Sequence, residues 1–260
     1  MTFPWPVTWA LRAFAGVVLV ILYGPLAVAV VLSFFDQTGT SVDWSSFGLQ
    51  WYAKLFANRG IGEALVNTFI VGAGTVVASV VLGTVFALYF QYGGSPWRGL
   101  HQAIIVTPFL LPPIVTGLSL LIFLREVGVP RSLLTVVIGH TVLVLALVYR
   151  TILQRLQSLS PRLIEASYDL GATRAYTFRR VLLPHLASAA VAAGVLAFAL
   201  SFDETLITLL VTGSDNTLPL RLWAMVRTGF TPDMNALITL ILAATAALSV
   251  VVISLVRPQP

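Results

Sequence analysis

Two adjacent carboxylates, Asp203 and Glu204, lie near one end of an apolar stretch that is otherwise uncharged. An ionised side chain at mid-bilayer costs about 2.5–3.5 kcal/mol on insertion scales, so such a pair requires water, a cationic partner or protonation. At ~1.5 Å per residue, Asp203 lies about 27 Å along a helix that begins near His185, toward its outer end. This chemistry suits the capture of a cation or the stabilisation of a gate. The alternative is a pair of interfacial acids that reach water or pair with Arg221 or Arg227.

Small and polar residues recur on the helical face that carries Glu204. At spacings of three and four residues, this face consists of Gly194, Ala197, Ser201, Glu204 and Thr208. Asp203 lies about 100° away from the face, since a helix turns by that angle per residue. Small residues allow helices to approach closely. We therefore expect the face to contact a partner helix or a central cavity, with Ser201 and Thr208 beside the acids along a substrate path or gate.

His140 opens a separate apolar stretch and is a further candidate for the path or gate. A single histidine in such a place is usually held by a neighbouring polar group or carbonyl, and the alternative is direct contact with a ligand. The chain has three histidines and no cysteine. The histidines lack metal-ligand spacing, so no metal site is predicted.

Three prolines, Pro108, Pro112 and Pro113, interrupt another apolar stretch. Proline removes a backbone hydrogen bond and kinks a helix, and a break exposed to lipid is costly. The segment should therefore face protein or a cavity. Pro112 and Pro113 are predicted to line the path as a hinge, and the alternative is a static kink. Gly117 follows and allows close packing or bending.

The elements that position these residues are predicted to be membrane spans. Of 260 residues, 58% are hydrophobic and only 10% are charged, with a mean hydropathy of +0.93. Soluble domains carry about 25% charged residues. About 20 apolar residues cross a bilayer, and six stretches qualify, at about 11–35, 64–90, 102–124, 132–149, 186–212 and 235–256. The predicted fold is an all-α membrane protein, a six-transmembrane-helix bundle in a single domain over 1–260.

The distribution of charge predicts the orientation of these spans. The net charge of +5 comes from scattered residues, which does not favour nucleic-acid binding. With a cytoplasmic N-terminus, nine of the fifteen Lys and Arg residues lie in cytoplasmic segments. Positive residues favour the cytoplasmic side, so both termini are expected there. The segment 36–63, with Trp44 and Trp51, is then an outside segment suited to the membrane interface.

The longest cytoplasmic connection contains a predicted helix-turn-helix at about 158–184. Ser160 and Pro161 fit the N-cap and first position of a helix. Gly171 can adopt a positive φ and end that helix. A second helix is expected from Arg174 to Leu183, and Pro184 marks the entry into the fifth span. A hairpin with small residues at its tip suits insertion into a groove of another protein.

This connection resembles the EAA loop of type I ABC-importer permeases. The pattern is Glu165-Ala166-Ser167, then Gly171 and, nine residues later, Val181-x-Leu183-Pro184, with Ser167 and Val181 as mild departures. The resemblance implies a coupling helix that docks on a cytoplasmic ATPase subunit. The residues expected to couple are Glu165, Ala166, Ser167, Asp169, Gly171, Ala172, Leu183 and Pro184. The alternative is a solvated amphipathic hairpin without a partner.

Further segments resemble the spermidine/putrescine-type permeases, and the resemblance covers roughly residues 60–256. These segments are Gly139-His140, Ser201-Phe202-Asp203-Glu204 and 217–223 (TLPLRLW). One departure is Pro112-Pro113-Ile114-Val115, where that branch often has Pro-Glu-Ile-Val. The resemblance implies a fold like the type I ABC importer core. It also implies a bacterial cytoplasmic (inner) membrane location and import of a small organic cation, most directly a polyamine.

The resemblance also implies partners. They are a second permease subunit, expected to be a different homologous chain, two cytoplasmic ATPase subunits and an extracytoplasmic substrate-binding protein. The chain has no P-loop, so it is not expected to be an enzyme or to hold a cofactor, and the partner ATPase would bind ATP and Mg. Two alternatives stay open: another cargo, such as an opine, an aminophosphonate or an amino-acid-like compound, and a non-ABC channel or secondary transporter driven by an ion gradient.

Overall fold

The computed structural model describes residues 5–38, 41–94, 96–229 and 231–256. The ends of the predicted 1–260 domain, residues 1–4 and 257–260, lie outside this range. The chain divides into two compact units, Met1–Gly62 with Ala224–Pro260 and Glu63–Trp223. The functional residues predicted from the sequence lie in the second unit.

The first unit combines long apolar helices with a small hairpin. Its elements are α1 (Trp5–Leu32), β1 (Asp36–Thr38), β2 (Ser41–Asp43), α2 (Gln50–Ala57) and α12 (Pro232–Val256). The strands pair antiparallel, with Asp36 opposite Asp43. The Asp36 carboxylate accepts hydrogen bonds from Gln50 Nε2 (2.6 Å) and Trp51 Nε1 (2.9 Å). The segment expected at the interface is therefore a hairpin tied to a short helix, a small departure from an all-α chain.

The remaining helices carry the functional residues. In chain order they are α3 (Arg59–Tyr92), α4 (Arg98–Leu110), α5 (Pro113–Glu126), α6 (Leu133–Gln157), α7 (Pro161–Asp169), α8 (Arg174–Thr177), a π-helical turn (Phe178–Leu182), α9 (Leu183–Asp203), α10 (Leu206–Val211) and α11 (Leu218–Thr228). The chain is predominantly helical, as the sequence predicts.

Helices of spanning length match the predicted stretches in part. Among the described residues, four helices are long and apolar enough to cross a membrane, or five if the bent pair α4 and α5 counts as one span. The predicted sixth span lies within α12, a helix of 25 residues over Pro232–Val256. The all-α membrane fold is confirmed, whereas the count of six spans stays a prediction.

The predicted third span, 102–124, is two helices that meet at 109°. Leu111 and Pro112 are both extended, with ψ of 147° and 134°. Each of them precedes a proline, and a proline ring disfavours the helical region for the preceding residue. Pro113 then occupies the first position of α5, where its missing N–H costs nothing. Pro108 lies inside α4 and does not break it, contrary to the expectation.

Two further boundaries differ from the sequence prediction. The predicted second helix of the cytoplasmic connection continues without a break from Arg174 to Asp203. A π-helical turn precedes Pro184, and there the Leu183 N–H donates to the Phe178 carbonyl. This wider turn accommodates the proline, which lacks an N–H and crowds the carbonyl four residues earlier. The fifth predicted span, 186–212, instead breaks at Glu204–Thr205 into α9 and α10.

Helix α6 lies at the centre of the second unit. Its side chains pack with those of α3 and α9 in a core that includes Phe90, Tyr149, Ile152 and Leu186. Close approach is possible because small residues lie between the helices: a Cβ on Gly194 would lie 3.1 Å from Val76 Cγ1. The predicted small face of α9 therefore does contact a partner helix, α3.

Candidate functional site at the helix break

A second buried cluster surrounds α10, the short helix that follows the break. Ile207 is fully buried between glycines of two helices. A Cβ on Gly139 of α6 would lie 2.5 Å from Ile207 Cγ2, and a Cβ on Gly117 of α5 would lie 3.2 Å from Ile207 Cα. The first distance is shorter than real Cβ contacts and the second is tighter than most of them, and a Cβ on Gly117 would also lie 2.9 Å from Leu210 Cδ1. Both glycines therefore allow α10 to pack closely. The predicted close-packing role of Gly117 is thereby explained.

Glu204 lies in the break itself and caps α10. Its backbone is extended, with ψ of 111°. Its Oε1 accepts hydrogen bonds from the N–H groups of Leu206 (2.8 Å) and Ile207 (3.0 Å). These are two of the first N–H groups of a helix, which have no partner within it. The structure thus gives the Glu204 carboxylate a role that the sequence interpretation did not consider: it stabilises the break.

Asp203 is in a different situation, although it is the adjacent residue. It is the last residue of α9, and its side chain is exposed. Its backbone carbonyl accepts a hydrogen bond from Thr205 Oγ1 (3.3 Å). Within the described residues, the Asp203 carboxylate has no hydrogen-bond or ion-pair partner. Of the two predicted acids, Asp203 is therefore the one without a partner among the described residues, whereas Glu204 uses Oε1 to cap α10.

His140 is buried and connects the two sides of the break. Its relative exposure is 1%. Its Nδ1 lies 2.8 Å from Ser201 Oγ at the end of α9, and its Nε2 lies 2.9 Å from Thr208 Oγ1 in α10. Ser201 and Thr208 are buried as well. The structure thus brings together three of the predicted path residues and holds the imidazole through hydroxyl groups, the more common of the two situations expected for it.

The proton arrangement around His140 follows from its neighbours. Thr208 Oγ1 donates to the Glu204 carbonyl (2.9 Å), so its proton is not available to the ring. The ring must therefore donate from Nε2–H to Thr208 Oγ1. In a neutral imidazole Nδ1 is then the acceptor, and Ser201 Oγ donates to it. Ser201 Oγ also lies 3.5 Å from Thr75 Oγ1 of α3, a longer contact to which it can donate its single proton only when it does not donate to the ring.

The other end of α10 is held by a residue that the sequence interpretation missed. Thr135 Oγ1, near the start of α6, lies 2.7 Å from the Val211 carbonyl and accepts a hydrogen bond from the Ser132 N–H (2.9 Å). The side chain of Thr135 is fully buried. From the sequence alone, a threonine near the start of a helix is interpreted as a local cap of that helix. No spacing rule connects it to a carbonyl 76 residues later.

The predicted coupling loop forms a separate site. Helix α7 begins at Pro161 after Ser160, as expected. Gly171 has a φ of +81°, and its N–H donates to the Tyr168 carbonyl (2.8 Å). The conformation is the left-handed one that favours glycine. Glu165, Ala166 and Asp169 are exposed on α7.

Beside α7 lies an open groove of about 710 Å³. Its lining consists of Leu163, Ala166, Ser167, Leu170, Gly171, Ala172, Thr173, Tyr176, Arg180, Val181 and His185. Leu170, on the rim, is 88% exposed. Leu183, also predicted to couple, follows the π-helical turn and is 47% exposed. A loop with an exposed apolar rim and small residues beside a groove is suited to contact with another protein.

Comparison with known proteins identifies the family. Residues 79–257 match the model of the family described as binding-protein-dependent transport system inner membrane component. The chain belongs to this family. It is a permease subunit of an ABC importer and a multi-pass membrane protein.

Named relatives of the permease are similar over nearly their whole length. It is 32% identical to the spermidine/putrescine transport system permease protein PotC of Haemophilus influenzae over 92% of this chain and 93% of that protein. It is also 32% identical to the putrescine transport system permease protein PotI of Escherichia coli K12, over 93% and 86%. The family resemblance predicted from the loop and from 139–223 is confirmed.

The fold of the permease resembles solved ABC transporters. A bacterial ABC transporter involved in the import of the acidic polysaccharide alginate matches with a TM-score of 0.74 at 15% identity, over 94% of this chain and 92% of that one. At this identity the match shows the fold alone. The predicted type I importer fold is confirmed.

Proposed function

We propose that this permease forms the membrane path for a small organic cation, most directly a polyamine such as spermidine or putrescine. The observation that carries the proposal is the exposed Asp203 carboxylate at the helix break, which has no partner within the described residues. A carboxylate without a counter-ion attracts an ammonium group, with which it can form a charge-assisted hydrogen bond. The names of the Haemophilus influenzae and Escherichia coli relatives agree with such a cargo.

The fold by itself does not select a cation. The alginate importer resembles this chain over 94% of its length and is involved in the import of an acidic polysaccharide. Selectivity for charge must therefore come from individual side chains. Glu204 Oε1 is engaged by the backbone of α10, so Asp203 is the acid at the break with both carboxylate oxygens available to cargo.

The cargo is tested by uptake in cells that lack their own polyamine importers and express the complete transporter. We expect saturable uptake of radiolabelled spermidine or putrescine that depends on ATP and on the binding protein. Unlabelled polyamines should compete, whereas opines, aminophosphonates and amino acids should not. Competition by one of these compounds, without competition by polyamines, would overturn the polyamine assignment. Uptake that survives ATP depletion and follows an ion gradient would favour a secondary transporter.

We also propose that α7 and the residues that follow it couple the permease to a cytoplasmic ATPase subunit. The observations that support this are the exposed Glu165, Ala166 and Asp169 on α7 and the left-handed turn at Gly171 that ends the helix. Ala172, Leu183 and Pro184 complete the proposed coupling surface. ATP and Mg would be bound in the ATPase, whose closure would be transmitted through this loop to the spans.

Coupling is tested by co-purification from native membranes with a C-terminal tag. The unchanged permease should retain an ATPase subunit, and Glu165→Ala and Gly171→Pro should lose it. Glu126→Ala is a matched control, because Glu126 is an exposed acid at the end of α5, outside the loop. An intact permease without any ATPase, or equal recovery in all variants, would overturn the docking proposal.

The full assembly proposed contains four further proteins around this chain. They are a second permease subunit, expected to be a different homologous chain, two ATPase subunits and an extracytoplasmic substrate-binding protein. The proposed location is the bacterial cytoplasmic membrane, with both termini in the cytoplasm. The distribution of Lys and Arg supports this orientation. Pro112 and Pro113, at the 109° bend between α4 and α5, are proposed to line the same path.

A further inference from the structure

We infer that His140 is a positioning residue for transport, which holds the Asp203 carboxylate in place by clamping the two helices that flank it. The inference rests on the proposed function of Asp203. His140 contacts Ser201, two residues before Asp203, and Thr208, five residues after it. One rigid ring thus fixes the backbone on both sides of the helix break.

The connection from the ring to the break runs through few bonds. On one side, Ser201 lies in the last turn of α9. On the other, Thr208 Oγ1 donates to the Glu204 carbonyl (2.9 Å). This carbonyl belongs to the peptide group between Glu204 and Thr205, one residue after Asp203. A change of one ring contact therefore moves the backbone that carries Asp203, without any contact between His140 and cargo.

Helix α10 needs such a clamp because it cannot be stable by itself. It contains six residues, whereas isolated helices shorter than about 12–15 residues are marginal even in favourable sequences. Its other contacts include the Glu204 cap, the Thr135 contact to Val211 and the buried apolar cluster in which Ile207 and Val211 pack with Leu124 and Val136. The His140 ring also contacts Ser201 in the last turn of α9, so it links the two helices across the break.

Loss of the hydrogen bonds of His140 should carry its full energetic cost because the cluster is buried. Ser201, His140 and Thr208 are at most 4% exposed. A buried polar group left without a partner keeps its desolvation penalty. When the ring loses either hydroxyl, the remaining groups must recover partners by movement of α9 or α10, which opens the break.

The test measures the break directly and does not depend on the cargo. The chain has no cysteine, so Leu206→Cys, at the first position of α10, gives a single reporter thiol. We expect His140→Asn and Thr208→Val, each in the assembled transporter, to raise the thiol modification rate roughly tenfold, a change equivalent to one lost buried hydrogen bond. The combination of both should exceed His140→Asn alone by little, because His140→Asn already removes the contact to Thr208. Thr208→Ser, which restores a hydroxyl, should restore the unchanged rate.

The matched control is Thr141→Val, which removes an adjacent buried hydroxyl. Thr141 Oγ1 bonds within α6, to the Val137 carbonyl (2.7 Å), so the reporter rate should not change. Cargo uptake in the same variants should show a raised apparent KM with intact assembly. If His140→Asn and Thr208→Val leave the reporter rate unchanged, or if Thr141→Val changes it equally, the clamp is refuted. If instead Asp203→Asn leaves uptake unchanged while the reporter rates change as expected, the clamp stands and the cation role of Asp203 fails.

Discussion

The hydroxyl oxygens of Ser167 and Thr177 lie 2.9 Å apart and join the two helical arms of the proposed coupling loop. Both side chains are buried, with exposures of 8% and 1%. Ser167 stands where the EAA pattern has alanine, so this departure is not a neutral one in this chain. The contact fixes α7 against α8, and therefore against the helix that continues through the π-helical turn into α9.

Removal of this contact should loosen the coupling loop. Thr177→Val or Ser167→Ala leaves a buried hydroxyl unpaired, at a cost of about 1–3 kcal/mol. We expect faster amide hydrogen exchange in 161–177, by roughly fivefold or more, as measured by mass spectrometry on the assembled transporter. Ser158→Ala is the control, because that exposed hydroxyl bonds only to the nearby Arg155 carbonyl. Equal exchange in all three variants would show that the hydroxyl pair contributes nothing.

Gly171→Ala should destabilise the end of α7. The φ of +81° places a Cβ in the left-handed region, which costs roughly 1–2 kcal/mol for a residue other than glycine. We expect the permease to stimulate ATP hydrolysis by its ATPase subunits less. The thermal unfolding of the rest of the permease should be unchanged. Gly99→Ala is matched to it, since Gly99 has open space around it and a helical conformation. A Gly171→Ala permease that stimulates its ATPase normally would contradict a strained turn.

Sequence reasoning located the apolar stretches, the coupling loop and the break near Pro112, because each depends on local composition or on proline sterics. It also placed Ser201 and Thr208 on one helical face, but it left His140 in a separate stretch with no link to that face. It did not find the break at Glu204–Thr205. That break depends on a glutamate that caps the next helix and on two glycines, Gly117 and Gly139, that lie far away in the chain. A helical pattern that continues through a break has no local signal for it.

The capping role of Glu204 predicts a difference between two substitutions. Glu204→Gln keeps an oxygen acceptor for the Leu206 and Ile207 N–H groups and should retain the fold. Glu204→Ala removes the acceptor and should lower the stability of the permease by about 0.5–2 kcal/mol, the usual cost of a lost N-cap. Thermal unfolding in detergent or nanodiscs measures the difference. Equal loss in both variants would indicate that the charge, rather than the cap, is what matters.

The close packing of α10 against Gly139 predicts that a larger residue at position 139 has a steric effect. Gly139→Ala places a Cβ 2.5 Å from Ile207 Cγ2. Overpacking of a tight core typically costs about 1–3 kcal/mol, and here it should displace α10. We expect a lower thermal transition and a faster Leu206→Cys thiol reaction. Gly16→Ala is the control, because a Cβ on Gly16 in α1 meets nothing within 4 Å. A stable Gly139→Ala permease with an unreactive thiol would mean that α10 tolerates the shift.

Cation capture at the helix break depends most directly on Asp203, whose charge can be removed with little change of shape. The measurement is ATP-driven polyamine uptake by the reconstituted transporter with its binding protein, with Asp203→Asn beside Glu204→Gln. Loss of a charged partner is worth about 1.5–3 kcal/mol. We therefore expect Asp203→Asn to raise the apparent KM at least about tenfold with assembly intact, while Glu204→Gln keeps it unchanged. An unchanged KM and rate in Asp203→Asn would contradict cation capture at the helix break.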